Sequence, residues 1–218
     1  MKIFLATVAA ALFLTGCAAP VYKHEVAGLQ KSETMNFVDA RPPAESEQKI
    51  FSMLITSDAY ATYRYSTSSL DPSALRLFQH RIYEKFPEGV KPSQVKVHHF
   101  VSYMNMQAAF RRTAVGSIFG GVGAAIASGT QNYNADFKAT AVNRATFDAV
   151  SEANEYTKAF FSAEENPNNA PVFIVYIDAE IDGKRNFVRG IAPTSRTDGK
   201  NPYLYVVDNT ITAFLSNY

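Results

Sequence analysis

Apolar and polar positions along the chain alternate with a period of two in some stretches and recur every three to four residues in others. Val95, Val97, His99, Val101 and Tyr103 alternate with Lys96, His98 and Ser102, which predicts a long strand running toward Phe110. On such a strand His98 and His99 face opposite sides. Val172 to Ile181 is strand-like, Asp182-Gly183 suits a two-residue type I′ turn, and Lys184 to Ile191 returns, giving the best hairpin in the sequence. Met35 to Val38 is a short strand candidate stopped at Arg41-Pro42-Pro43. Lys49 to Thr56 reads as a buried strand, and Tyr63 and Tyr65, two apart, belong to one face of its continuation or of a partner.

The longer period marks two helices. Asp71 as N-cap and Pro72 at the first helical position open one, in which Leu75, Phe78, Ile82 and Phe86 form an apolar stripe and Pro87 and Gly89 end it. His80, Arg81 and Glu84 fall off that stripe and are expected on a solvated face. A final helix from about Pro202 places Leu204, Val207, Ile211 and Leu215 inward. Tyr133 to Ala141 alternates and is expected to pair with the long strand, while Arg144 to Phe161 fits a helix only loosely. Strands joined by a hairpin and covered by two or three helices predict a single α+β domain over 35–218 with a mainly antiparallel sheet. A composition of 47% hydrophobic and 13% aromatic residues suits such a globular core.

The extreme N-terminus has a different organisation. Lys2 is followed by the apolar run Ile3 to Leu14 and then by Thr15-Gly16-Cys17. As a helix those twelve residues span roughly 18 Å, short of the ~30 Å of a bilayer core. Leu14-Thr15-Gly16-Cys17 resembles the lipobox of bacterial lipoprotein precursors; an ordinary secretory signal is the alternative, since small residues flank Cys17. The resemblance implies removal of 1–16, acylation of Cys17 and three acyl chains holding the protein on a bilayer, more than the two signals stable anchoring needs. Cys17 is the only cysteine, so it has no disulfide partner in an oxidising compartment. Ala18 in place of Asp implies, by the sorting rule of enterobacterial lipoproteins, the outer membrane; a domain facing the periplasm is a separate expectation. Residues 17–34 carry no sustained period and are expected to act as a flexible tether reaching roughly 20 to 25 Å.

Residues 113–130, TAVGSIFGGVGAAIASGT, lie in a charge-free stretch from Thr113 to Ala135. As a helix, Gly116, Gly120, Ala124 and Ser128 form a small-residue stripe beside Val115, Phe119, Val122 and Ile126. This resembles the glycine-zipper segments of some outer-membrane lipoproteins, though its apolar part spans only about 22 Å. Three roles stay open: a Gly-rich connection within the domain, an interfacial or partner-docking hairpin with contacts at Gly116, Phe119, Gly120 and Gly123, or insertion into lipid. Ile126 replaces the third glycine of a dinucleotide fingerprint and Val122 replaces the lysine of a P-loop.

Candidate chemistry is sparse. Ser93-Gln94-Val95-Lys96 matches S-x-x-K at the start of a strand, without its companion motifs. Asp39, Asp58, Glu152 and Glu155 are acids that nothing in the sequence pairs around a substrate, and each is expected to be a solvated surface acid. Neighbouring histidines on opposite faces do not converge on a metal, so neither metal nor cofactor is expected. Lys2 is the only charged residue before Cys17, leaving 20 basic against 20 acidic residues after cleavage, with no electrostatic case for nucleic acid. The layout is similar to that of small periplasm-facing accessory lipoproteins, which implies a non-catalytic module docking on an unidentified envelope protein. The alternatives are a lipid-anchored enzyme acting on peptidoglycan or an envelope glycan, and a membrane-inserting protein.

Overall fold

The computed structural model describes residues 21–55, 58–106, 136–162, 164–165, 170–196 and 198–218. In chain order they form β1 (Tyr22–Lys23), β2 (Phe37–Asp39), β3 (Lys49–Ile55), β4 (Asp58–Arg64), β5 (Leu70–Asp71), α1 (Ala74–Lys85), β6 (Val95–Asn105), β7 (Lys138–Ala141), α2 (Arg144–Asp148), β8 (Val172–Ile181), β9 (Lys184–Pro193) and α3 (Pro202–Leu215). Four 3-10 segments join them, including Leu29–Ser32, Pro43–Ser46 and Glu152–Ala159. A seven-stranded, mainly antiparallel sheet runs β3-β4-β6-β8-β9-β7, with β2 beside β6, so the α+β expectation holds.

The β8–β9 hairpin forms because Asp182 and Gly183 both take positive φ, 47° and 83°, the geometry of a type I′ turn. Asp182 Oδ1 also accepts from the Ser93 and Gln94 N–H groups, tying the turn to the start of β6. The outer edge of β6 is forked: β2 pairs in parallel with Val95–Val97, and β4 pairs antiparallel with Tyr103–Asn105. At the gap the Phe100 N–H donates to Glu45 Oε2 and the Phe100 carbonyl accepts from Arg41 Nη1, each at 3.1 Å. Side chains thus complete the ladder where no strand is available.

Alternation along β6, β8 and β9 separates two faces. One packs Val97, Phe100, Val175 and Ile177 under α1 and α3, with Phe78, Ile82, Ile211 and Phe214 fully buried between the layers, each contributing about 1.5 to 3 kcal/mol. The other carries Val101, Ile174, Tyr176, Phe187 and Ile191 beneath α2 and the 3-10 segment Glu152–Ala159.

Several expectations are corrected. Helix α1 is capped by Ser73, which accepts from the Arg76 N–H, and not by Asp71. His80 is buried at 2% exposure, because α1 is sandwiched between α3 and the segment around Ser32 and so has two inward sides. Tyr63 and Tyr65 do share the helix-covered face, where Tyr65 stacks on Tyr203 at 4.4 Å. Among the described strands β3 pairs only with β4 and stands at the edge, with Ile50 63% exposed. β7 pairs with β9 and not with β6. Arg144 to Phe161 divides into α2 and a 3-10 segment.

The tether expected over 17–34 is folded from residue 21 onward. β1 pairs with β5, and Tyr22 packs its ring against Tyr203. The Arg76 guanidinium donates to Ser32 Oγ at 2.6 Å and to the Leu29 carbonyl at 2.5 Å, while Gln79 Nε2 donates to the Ser32 carbonyl at 2.9 Å. Side chains of α1 satisfy the polar groups of a segment with no apolar period of its own, a contact that periodicity does not register.

Candidate functional site

A β-bulge between Val97 and His99 shifts the side-chain alternation of β6. Contrary to the expectation of opposite faces, both histidines look toward the face bearing Asp178: His98 Nε2 lies 3.7 Å from Glu180 Oε2, and His99 Nδ1 lies 2.6 Å from Glu45 Oε1. Asp178 and Glu180, two apart on β8, belong to one face. His99 stacks on Phe187 and meets Phe147 edge-on, so its ring is held between carboxylate and aromatic partners. Among the described residues no group of three His, Cys, Asp or Glu is placed to hold a metal ion.

The buried acids of this face are all occupied. Asp178, with no exposed surface, accepts paired bonds from Arg185 at 2.8 and 2.7 Å and from Arg144 at 3.0 and 3.3 Å. Burial would raise its carboxyl, but the two guanidinium partners outweigh that and hold it below the ordinary range. Glu155 is treated in the same way: burial is overcome by Arg64, with Tyr103 at 3.1 Å and Lys49 at 3.3 Å, and its carboxyl is lowered. The structure does bring Glu152 and Glu155 together, with Glu152 3.6 Å from the same Lys49 ammonium, but as an ion-pair cluster joining the 3-10 segment to β3 and β4. A solvated surface acid is therefore the wrong description of Glu155. Asp39 is paired with Arg41, and the Ser93 hydroxyl donates to Asp182 at 2.7 Å, leaving exposed Lys96 apart from it.

Beside these pairs lies an open groove of about 430 Å³ between β7, α2 and the 3-10 segment. Tyr176 and Arg189 form its sheet side, Phe147 and Val150 one wall, and Lys158 and Phe160 the other. Arg189 is held by Glu165 and by the Phe160 carbonyl at 2.6 Å. Lys158 differs. Its ammonium sits 3.8 Å over the Phe147 ring, has no ion-pair partner among the described residues, and is pushed below the ordinary lysine range by burial. Among the described residues no acid lines the groove.

This groove leaves no signal in the sequence, because Lys158, Phe147 and Tyr176 come from three elements and share no motif. Of the residues singled out beforehand, Cys17, Gly116, Phe119, Gly120 and Gly123 lie outside the described residues. No described helix is long and apolar enough to cross a membrane. Compared with protein-family models, with curated proteins and with solved structures, the chain finds no match.

Proposed function

We propose that this protein is a lipid-anchored component of a bacterial envelope, held by acylated Cys17 on the periplasmic side of the outer membrane. There it acts as a non-catalytic docking module for another envelope protein. The observation that carries the reading is the opposition of two faces. Residues 21–34 are strapped to α1 on the helix-covered face, whereas the groove and its ion pairs occupy the opposite face. From Cys17 to Val21 the backbone spans at most about 14 Å, so an anchor at Cys17 draws the helix-covered side toward lipid and leaves the other face outward. The acids on that outward face, saturated by arginines, lysine and histidine, favour binding over acid-base chemistry.

Metabolic labelling with a palmitate analogue tests the anchor. Wild type is expected to take up the label and to fractionate with the outer membrane, and Cys17→Ala to lose both; label retained by Cys17→Ala would end the proposal.

A further inference from the structure

We propose that the groove between β7, α2 and the Glu152–Ala159 segment binds a small organic monoanion, a carboxylate carried on an apolar body, with its head on Lys158. At about 430 Å³ the groove has the size of small-molecule sites. Phe147, Phe160 and Tyr176 supply an apolar lining, and Lys158 supplies a half-buried cation without a carboxylate of its own. Three acids act on Lys158 from nearby, and each has other partners: Glu155 has Arg64, Lys49 and Tyr103; Glu45 has His99 and the Phe100 N–H; Asp148 has His99. Arg189 also lines the groove, but its terminal guanidinium nitrogens are paired with Glu165 and the Phe160 carbonyl, so Lys158 is the lining cation without a carboxylate partner among the described residues. That selects a singly charged head. A dianionic phosphate would bring a second negative charge toward Glu45, Glu155 and Asp148, while the nearby cations Arg64, Lys49 and Arg189 are already engaged by acids. Thr146 also lines the groove, and a threonine hydroxyl is a donor suited to the second carboxylate oxygen.

The inference goes beyond the docking role and does not depend on the anchor. Isothermal titration of the purified full-length protein with 4-phenylbutyrate, and separately with its neutral amide, tests it. Saturable binding of the acid at one site is expected, with the amide weaker by about tenfold or more, the worth of one charge-assisted hydrogen bond. Lys158→Gln should reduce the acid to the level of the amide, and Lys158→Arg should keep most of its affinity. Cys17→Ala should bind the acid as wild type does, so a failed anchor and a failed ligand site give different results. Equal binding of acid and amide by wild type, an absence of saturable binding, or an acid affinity unchanged in Lys158→Gln would overturn the proposal. The acid-amide contrast is read on wild type, so it stands even where a variant folds poorly.

Discussion

Single side chains decide where this fold is least tolerant. Asp178 is fully buried between Arg144 and Arg185, and Asp178→Asn would leave two guanidinium groups with one neutral partner. A loss of about 2 to 4 kcal/mol in chemical denaturation is expected. The lowered Asp178 carboxyl also fixes a sign with pH. Its stabilisation is complete above the ordinary carboxylate range and is lost as pH falls through the lower folded value, so wild type should lose stability on acidification and Asp178→Asn should show a flatter profile by thermal melts. Gly190 is a second such place: a Cβ there would sit 1.9 Å from Thr210 Oγ1 and 2.9 Å from a Phe137 ring carbon, because α3 lies directly on β9. Gly190→Ala is expected to cost about 1 to 3 kcal/mol, and adding Thr210→Ala should recover part of it in a double-mutant cycle. Neither site was legible beforehand, since Asp178 sits in an otherwise apolar run and reads as strand, and a glycine's neighbour across a layer leaves no local trace. The expectation at Cys17 rests on a signal that is entirely local, and Cys17 lies outside the described residues.

At the scale of elements, regular patterns were readable and irregular ones were not. The Asp182-Gly183 turn and the β6 alternation carry their own signals, and β8, β9 and β6 up to Asn105 stand where the periods put them, while the expected continuation toward Phe110 lies outside the described residues. The bulge at His98 has no such signal, and it reversed the side to which one histidine points. The same holds for residues 21–34, whose order depends on Arg76 and Gln79, some 45 positions away. Arg76→Ala removes the bonds to Ser32 and Leu29 while leaving the core of α1 and α3 intact. Limited proteolysis is expected to cut residues 21–34 several-fold faster in that variant, with the global melt lowered by no more than about 1 to 2 kcal/mol equivalent. Unchanged cleavage would mean that the β1–β5 pairing and Tyr22 suffice to hold the segment.

Over the whole molecule, one sheet face is covered by helices and the N-terminal segment and the other carries a groove, so the proposed anchor at Cys17 would give the protein a defined outward side. The central claim is that this outward face meets another envelope protein only when Cys17 holds the module in place. Site-specific photocrosslinking in cells tests it most directly, with the reactive group at exposed Ala153 or Asn154 on the outward face and at exposed Lys85 or Glu88 near the end of α1. The account predicts a discrete envelope-protein adduct from 153 or 154 that is absent from 85 and 88 and lost in Cys17→Ala. Adducts that form equally from both faces, or that persist without Cys17, would contradict it.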